Sequence, residues 1–232
     1  MRPGILLVNK PSGMTSHDVV DAVRRMTGEQ RVGHAGTLDP FATGVLVVGV
    51  GREATKTLGW ITAKTDKRYH ATVRLGAESD TGDPEGVIRE RENVQPPKKQ
   101  EIERVLQTFS GMHEQVPPAY SSVKVHGVRS YDRARRGEHV VLPPRTITIH
   151  SLSIRRFTWP ELEIDVTCSS GTYIRSLARD IGEKLRTGGY LTMLCRTAVG
   201  DYILEHAHTL EEIAAAPEQF LLPVPRNTDS VT

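Results

Sequence analysis

The sequence predicts one mixed α/β domain built around a largely antiparallel sheet. Residues 147–157 and 162–168 each alternate apolar and polar side chains, and they are joined at Trp159-Pro160. Two such segments in close succession favour an antiparallel pair of strands. Residues 98–109 and 172–186 instead repeat apolar side chains at helical spacing, which predicts two helices. No internal repeat is visible in the sequence. The predicted strands and helices together favour helices packed on one sheet.

The N-terminal part predicts alternating strands and helices. Residues 4–9 indicate a short buried strand, which ends in the turn-rich stretch KPSGM. A helix follows, because residues 15–18 resemble a capping box and apolar residues recur at helical spacing until Gly28. A loop and an apolar strand occupy residues 31–50, and residues 53–62 indicate a second helix.

The remaining elements are shorter. Residues 68–75 alternate in the manner of a half-buried strand, and residues 80–86 form a turn. A last strand is expected at residues 198–204, followed by a short helix from Leu210. The C-terminal tail contains prolines and is expected to fray.

Composition places the chain among ordinary globular proteins. Of its 232 residues, 38% are hydrophobic and 25% are charged. No run approaches the roughly 18–20 apolar residues that a membrane span needs, and the N-terminus has no secretory signal. The two cysteines, Cys168 and Cys195, lack metal-ligand spacing, so we expect reduced thiols, no metal and a cytoplasmic location without a membrane partner.

Charge is segregated along the chain although the net charge is only +2. Residues 120–158 carry eight basic residues against two acids, whereas residues 78–92 and 201–218 are acidic. This pattern indicates a basic face for a polyanion, although basic runs are often only solvated surface. We interpret residues 113–145 as a projecting, mobile arm. Its candidate contacts to such a polyanion are Lys124, Arg129, Arg133, Arg135 and Arg136.

The stretch RVGHAGTLDPFATGVLVV, residues 31–48, is the strongest candidate for a functional loop. Its three glycines allow positive φ angles and close approach to a ligand. Pro40 moves Asp39 out of the helical region and stiffens the turn. A lone carboxylate on a stiff loop beside a buried strand is typical of a precisely held site. The alternative is that Asp39 only starts a turn.

Two further motifs indicate other functions. Residues 45–54, VLVVGVGREA, fit a strand, G-x-G-x-x-A and a helix, which is the start of a dinucleotide-binding unit and suggests a nicotinamide-dependent oxidoreductase. The antiparallel character of the later chain disfavours this reading. Asp80-Thr81-Gly82 spells the aspartic-protease triplet, but its polar neighbours indicate a surface turn.

Eight motifs in order resemble one family, the TruB-type tRNA pseudouridine synthases. The resemblance covers nearly the whole chain, and the joint order of the motifs is very specific. The motifs are NKPSGMTS (9–16), VGHAGTLDPFATGVL (32–46), REATK (52–56), KRYHATVRLG (67–76), SDTGDPEG (79–86), VPPAYSSVKVHGVRSYDRARRG (116–137), CSSGTYIRSLARDIG (168–182) and LTMLCRTAVG (191–200).

The resemblance implies an isomerase that converts uridine 55 in the TΨC arm of tRNA to pseudouridine. The enzyme would extrude the base, cleave the N1–C1′ bond and rejoin C5 to C1′, without a cofactor or metal. The catalytic Asp of the family falls on Asp39. A carboxylate suits the chemistry because positive charge develops at the anomeric carbon. Uracil leaves as a delocalised anion, so a second carboxyl is not required.

The resemblance also assigns roles to six other residues. Arg175 is expected to pair with Asp39 and keep it ionised, and Tyr69 to stack on the target uracil and relay the C5 proton. The remaining candidates for substrate binding are Tyr173 and Leu194 in the base pocket, His34 against the RNA, and Lys10. Lys10 either braces the loop that carries Asp39 or contacts the substrate. Tyr69 and Tyr173 could instead be core aromatics, and Arg175 a surface helix cation.

The resemblance implies a catalytic domain over residues 1–205, and we expect residues 206–232 to form a short helix and tail. Family members commonly continue into an RNA-binding domain of the PUA type, which we expect to be absent here. Ser170 replaces a lysine often found before GTYIR, and Phe41 replaces a usual leucine. We expect a monomer that binds the T-arm stem-loop of tRNA. A non-catalytic RNA-binding protein or RNA chaperone is the alternative.

Overall fold

The computed structural model describes residues 2–121, 124–125, 128–130, 133, 136, 138 and 142–225. For residues 124, 125, 128 and 129 only the backbone is described. The chain divides into two compact units. The first comprises Met1–Tyr69 and Leu194–Thr232, and the second comprises His70–Met193. The chain crosses between them inside two strands, β4 (Lys67–Leu75) and β12 (Gly189–Val199).

Strand β3 (Thr43–Val50) is central to the first unit. It pairs antiparallel with β1 (Gly4–Lys10) and with β2 (Val32–Ala35). Near its start it also pairs in parallel with β12, where Arg196 lies beside Gly44. Strand β13 (Tyr202–Ile203) pairs antiparallel with the end of β12.

The helices of the first unit cover both faces of β1 and β3. Even-numbered residues of β1, Leu6 and Val8, pack with α1 (Ser16–Thr27) and α5 (Leu210–Ala215). Odd-numbered residues, Ile5 and Leu7, pack with α2 (Arg52–Lys64). Both faces of these strands are therefore buried, which explains why they appear in the sequence as continuous apolar runs.

The second unit contains the long antiparallel pair that the alternation predicts. Strand β10 (Arg145–Thr158) pairs with β11 (Glu161–Cys168) and, on its other edge, with β7 (Gly111–Gln115). Helices α3 (Lys99–Gln107) and α4 (Ile174–Lys184) contribute buried apolar faces to its core. The short hairpins are β5 (Ala77–Ser79) with β6 (Ile88–Glu90), and β8 (Lys124–Val125) with β9 (Val128–Arg129).

The mixed α/β class and the largely antiparallel sheet are confirmed. Helix α1 begins at the expected capping box: Asp18 N–H donates to Thr15 Oγ1 at 3.0 Å, and Thr15 N–H donates to the Asp18 carboxylate at 2.8 Å. Gly28 ends the helix in the left-handed conformation, as predicted.

The single strand predicted at residues 198–204 is instead the end of β12 paired with β13. Strand β12 already begins at Gly189 and ends at Val199, and Gly200 then turns the chain with φ +56° before β13. The error arose because β12 carries polar side chains among its apolar ones, which obscured the alternation. The predicted helix at residues 172–186 is shorter than expected, since α4 begins at Ile174.

Candidate functional site

Asp39 lies in the connection between β2 and β3, and its side chain is half-buried. The neighbouring side chains anchor this loop in the first unit, because Leu38 is 3% exposed and Ala42 is fully buried. The Ala42 amide donates to the Asp39 carbonyl at 3.1 Å and closes the turn. The loop of residues 36–42, called here the Asp39 loop, is therefore held by its own packing at both sides of the carboxylate.

The stretch of residues 10–16 braces the Asp39 loop from the side. Lys10 is fully buried, and its ammonium donates to the carbonyls of Pro11 (2.8 Å), Met14 (2.6 Å) and Pro40 (3.1 Å). The amide of Gly13 also donates to the Pro40 carbonyl, at 2.8 Å. These contacts give Lys10 a bracing position on the residue after Asp39.

Two serines of the same stretch add side-chain bonds to the loop. Ser16 Oγ donates to the Leu38 carbonyl at 3.1 Å and accepts from the Leu38 amide at 2.9 Å. Ser12 Oγ donates to the Phe41 carbonyl at 3.0 Å. The backbone on each side of Asp39 is thereby tied to the N-terminal turn and the start of α1.

A buried arginine that the sequence motifs did not indicate contacts the first residue of the Asp39 loop and the strand that follows the loop. Arg196 of β12 is 1% exposed. Its Nε donates to the Val45 carbonyl at 2.8 Å, and its Nη2 donates to the Gly36 carbonyl at 2.9 Å. The signal available in the sequence was an arginine inside the mostly apolar run LTMLCRTAV.

Glycine at position 44 permits the close approach of β12 to β3. A Cβ at Gly44 would lie 2.3 Å from the Arg196 carbonyl oxygen, and the residue has φ +99°. Both the contact distance and the backbone conformation exclude a side chain here. Gly44 is therefore needed for β12 to pack against β3.

His34 lies on β2 at the edge of this group. Burial lowers the pKa of its imidazole below the ordinary value of 6.5, and the positive charges of Arg196 and then His17 lower it further. Its Nδ1 is buried and has no hydrogen-bond partner among the described residues. At neutral pH the ring is therefore uncharged, and its Nδ1 makes no hydrogen bond to the described part of the protein.

Of the other candidates, Tyr69 and Leu194 also belong to the first unit. Tyr69 is a half-buried residue of β4 and makes a side-chain hydrogen bond with Arg196. Leu194 is 5% exposed in β12, two residues before that arginine. Asp39, Lys10, His34, Tyr69 and Leu194 thus share one compact unit, and Arg196 contacts the loop and Tyr69 directly.

Tyr173 and Arg175 lie in the second unit, where they surround the start of α4. The side chain of Gln115 accepts from the Tyr173 amide at 2.8 Å and donates to the Tyr173 carbonyl at 3.0 Å. This pair of bonds holds Tyr173 in an extended conformation, with φ −100° and ψ 110°, and explains why the helix begins at Ile174.

Arg175 is a buried residue, 5% exposed, and not the surface cation of the alternative reading. Its Nη1 lies 3.3 Å from Asp83 Oδ2 and donates to the Thr81 carbonyl at 2.9 Å. Its Nη2 donates to the Tyr120 carbonyl at 2.7 Å. The expected pairing of Arg175 with Asp39 joins two different units and stays a prediction.

The motif SDTGDPEG forms a compact turn that positions this guanidinium. Asp83 is 3% exposed, and its Oδ1 accepts from Thr81 Oγ1 at 2.6 Å and from the Glu85 amide at 3.0 Å. The sequence predicts a surface turn at residues 80–86 but does not distinguish Asp83 from its neighbours. A second acid directly after the D-T-G triplet was the signal available.

The arm candidates are only partly described. Arg133 lies 2.6 Å from Glu138 through its Nε, and Arg136 lies 3.9 Å from the same carboxylate. Lys124 and Arg129 face each other across the β8–β9 hairpin by backbone register. Arg135 lies outside the described residues. The expected mobility of the arm therefore stays a prediction.

The dinucleotide-binding motif is part of ordinary packing. Strand β3, which carries Gly49, pairs antiparallel with both β1 and β2, unlike the parallel neighbours of a βαβ unit. The amide of Gly51, at the start of α2, donates to the Arg31 carbonyl at 2.8 Å. The Gly51 amide is therefore already hydrogen-bonded within the protein.

The described residues contain neither a metal-binding cluster nor a helix suited to a bilayer. No group of three or more histidine, cysteine, aspartate or glutamate side chains in the described ranges could hold a metal ion. No helix among those residues has both the length and the apolar character needed to span a bilayer.

Two family models match consecutive parts of the chain. Residues 24–174 match the TruB family pseudouridylate synthase N-terminal domain, and residues 175–224 match the tRNA pseudouridylate synthase B C-terminal domain. A tRNA pseudouridine synthase B from Thermobifida fusca (strain YX) is 52% identical over 223 residues, covering 93% of this chain and 75% of that protein. One from Arthrobacter sp. (strain FB24) is 48% identical, covering 92% and 71%.

Solved structures give the same fold. The chain superposes on a Cbf5-Nop10-Gar1 complex with a TM-score of 0.73 at 25% identity, covering 99% of this chain and 57% of that one. It also matches an archaeal box H/ACA sRNP Nop10-Cbf5 complex with a TM-score of 0.68 at 25% identity, covering 91% and 53%. This chain therefore spans just over half the length of those structural neighbours.

Proposed function

The chain belongs to the TruB family of pseudouridylate synthases, and we therefore propose that it converts uridine 55 in the TΨC arm of tRNA to pseudouridine. The curated relatives at 52% and 48% identity are both named tRNA pseudouridine synthase B. The observation that carries the proposal is the Asp39 loop, whose backbone is fixed by Lys10, Ser16 and Arg196 around one half-buried carboxylate.

The reaction is an isomerisation and needs no external redox partner. The N1–C1′ bond of the uridine breaks, C1′ is rejoined to C5, the proton on C5 is removed, and N1 gains a proton. Positive charge develops at C1′ during cleavage, and the Asp39 carboxylate stabilises or traps it. Uracil leaves as a delocalised anion, so this single carboxylate is sufficient. We propose that no cofactor or metal takes part.

Arg175 is proposed to pair with Asp39 and to keep the carboxylate ionised and aimed. An adjacent cation favours the charged form of an acid, and guanidinium and carboxylate match in geometry. The support for this role is that Arg175 is buried and oriented through Asp83, Thr81 and Tyr120. A guanidinium fixed in this way can hold a partner at little entropic cost.

The pocket for the base is proposed to consist of Tyr69, Tyr173 and Leu194. Tyr69 would stack on the uracil and relay the C5 proton, while the other two complete an apolar slot. His34 would contact the RNA where the base has left the stack. Its lowered pKa supports this role, because a neutral imidazole can donate or accept a hydrogen bond near a base.

Reaching Asp39 requires the target nucleotide to leave the folded T-arm. Unstacking costs about a few kcal/mol, which stacking in the pocket and contacts to the RNA backbone must offset. The arm of residues 113–145 is proposed to supply those backbone contacts through its basic side chains and to close over the T-arm. The local excess of basic residues between 120 and 158 supports this assignment.

We further propose that the protein acts as a monomer in the cytoplasm. Residues 1–205 would form the catalytic domain, followed by a short helix and tail over residues 206–232. The short helix is present as α5, which begins at a capping box of Thr209 and Glu212.

The decisive test is incubation of the protein with an unmodified T-arm stem-loop, followed by digestion and nucleoside chromatography. Stoichiometric pseudouridine at position 55 is the expected product. Asp39→Asn should abolish it while leaving RNA binding intact, and Asp201→Asn, at an exposed acid, is the matched control. A non-catalytic RNA-binding protein would show no product and the same RNA affinity in all three proteins. Product at another position would overturn the assignment to uridine 55.

A further inference from the structure

Arg196 is a buried cation that the proposed chemistry does not use. Removing a charged group from water is unfavourable unless its polar atoms are fully bonded. Burial indeed lowers the pKa of this guanidinium, whereas the charge and hydrogen bond of Tyr69 raise it. A side chain of similar size without charge would fill the same core space, so packing alone does not explain an arginine here.

The acceptors of Arg196 lie on opposite sides of Asp39 in the chain. Gly36 is its first residue, and Val45 follows its end by three residues, inside β3. The guanidinium donates to both carbonyls, at 2.9 Å and 2.8 Å. Its Nη1 also lies 3.3 Å from the position that a Cβ on Gly36 would occupy. One rigid planar group thus joins the two ends of the segment that presents Asp39.

The same side chain contacts a second candidate catalytic residue. Arg196 makes a side-chain hydrogen bond with Tyr69, whose only polar side-chain atom is its phenol oxygen. The loop that carries the carboxylate and the ring expected to stack on uracil are therefore fixed by one group, within one compact unit.

We propose that Arg196 is a positioning residue for the isomerisation, which sets the Asp39 loop and the Tyr69 phenol in a fixed relation to each other. The inference rests on the proposed function of Asp39 and Tyr69. Arginine suits the role because its guanidinium offers five N–H donors in a fixed planar fork. A lysine would keep the charge but would present one ammonium on a flexible stem and could not span the same acceptors.

The test compares the wild-type protein with Arg196→Lys and with a matched control, Arg24→Lys. Arg24 belongs to the same unit and also donates to a backbone carbonyl, that of Val32 at 3.1 Å, outside the Asp39 loop. Single-turnover pseudouridine formation and RNA affinity are measured on all three. In Arg196→Lys the rate constant should fall about 100-fold, since a misplacement of about 1 Å can have that effect, while Kd stays within about threefold.

A second readout does not depend on catalysis. Leu38 and Ala42 lie in the Asp39 loop, and their amides donate to Ser16 Oγ and to the Asp39 carbonyl. Hydrogen exchange at these two amides should be about tenfold faster in Arg196→Lys and unchanged in Arg24→Lys. If the wild type forms no pseudouridine, the proposed function fails while this exchange measurement still decides whether Arg196 orders the loop. A wild-type rate in folded Arg196→Lys would overturn the inference alone.

A third measurement covers the case in which Arg196→Lys does not fold. The Nε–H of Arg196 in the wild-type protein is observed by NMR, and its exchange with solvent is compared with that of exposed arginines. Because this proton is hydrogen-bonded to the Val45 carbonyl, it should exchange at least about 100-fold more slowly than those of exposed arginines. Its NMR resonance should shift when the T-arm stem-loop binds. Exchange at the rate of exposed arginines would show that the bridge is absent in solution.

Discussion

Ser16 and Leu38 exchange two hydrogen bonds through one hydroxyl, although they are 22 positions apart in the chain. Ser16 Oγ accepts from the Leu38 amide and donates to the Leu38 carbonyl, and both bonds are buried. Leu38 immediately precedes Asp39, so the start of α1 fixes the backbone that carries the candidate catalytic carboxylate. The position of that carboxylate is therefore determined by a motif well upstream of it.

Ser16→Ala should lower both stability and catalysis. The substitution leaves the amide and carbonyl of Leu38 buried without this partner, which costs about 2 kcal/mol of unfolding free energy. Urea denaturation measures the loss. Ser12→Ala is the matched control, since Ser12 Oγ also bonds the loop, at the Phe41 carbonyl, but is exposed. It should cost less than about 1 kcal/mol, and equal losses in the two variants would contradict the argument.

Lys10→Met tests whether Lys10 braces the loop or contacts the RNA. Methionine keeps the apolar stem but removes the donor to three carbonyls, of which that of Pro40 still receives the Gly13 amide. Relief of a buried charge partly offsets the loss, and we expect about 2 kcal/mol of destabilisation. The turnover rate should fall while Kd for the T-arm stays unchanged.

A rise in Kd without a change in stability would instead place Lys10 in direct contact with the RNA. Lys56→Met, at an exposed position of α2 in the same unit, controls for the loss of one positive charge.

His34 should make stability depend on pH in weakly acidic solution. Its pKa is lowered in the folded protein, chiefly by burial, so the unfolded chain binds the proton more readily. Stability is therefore complete above about pH 6.5 and decreases as the pH falls from there toward the depressed folded pKa. His34→Gln should reduce that decrease, measured as unfolding free energy in urea at a series of pH values.

The matched control is His206→Gln, which removes an exposed histidine. An NMR titration of the His34 ring in the wild type gives the sign directly. A midpoint above 6.5 would contradict the prediction.

Local signals in the sequence were sufficient for much of the fold. The capping box at Thr15, the αL glycine at Gly28 and the alternation of β10 and β11 each depend on neighbouring residues, and all three are confirmed. The start of β12 was not predicted, because whether its side chains are buried depends on the elements packed against it in the fold. Arg196 in a core strand is compatible with burial only because the carbonyls of Gly36 and Val45 are brought to it by the fold.

The candidate site shows the same limit. The loop around Asp39 was identifiable from its glycines, proline and acid, which act locally. Asp83 was not, because its importance depends on Arg175, which lies 92 positions later and meets it only in the folded protein. Long-range partners of buried charges leave no periodic pattern in the sequence, so the motifs identified the functional segments but not all of their supports.

Asp83→Asn should destabilise the protein and slow the reaction. Asp83 and Arg175 are both about 5% exposed as side chains, so the isosteric change removes a buried negative charge that faces the guanidinium. Breaking such a pair costs about 3 kcal/mol, although Thr81 and Tyr120 still accept from Arg175. Asp80→Asn in the same turn is the control, because its carboxylate accepts from the exposed Val87 amide. Equal unfolding free energies for the two variants would show that the ion pair contributes nothing.

The salt dependence of RNA binding should report the basic arm. Alanine at Arg133, Arg135 and Arg136 removes three candidate phosphate contacts, and each contact contributes about 0.7 to 0.9 to the slope of log K against log salt concentration. The slope for the T-arm stem-loop should therefore fall by about 2.

A variant with alanine at Lys98, Lys99 and Arg104 loses the same charge from exposed positions at and near α3 and is the matched control. Because its charges lie outside the arm, its slope should match that of the wild type. If the arm variant instead keeps the wild-type slope, residues 133–136 do not contact the RNA backbone, and the affinity must come from other basic residues.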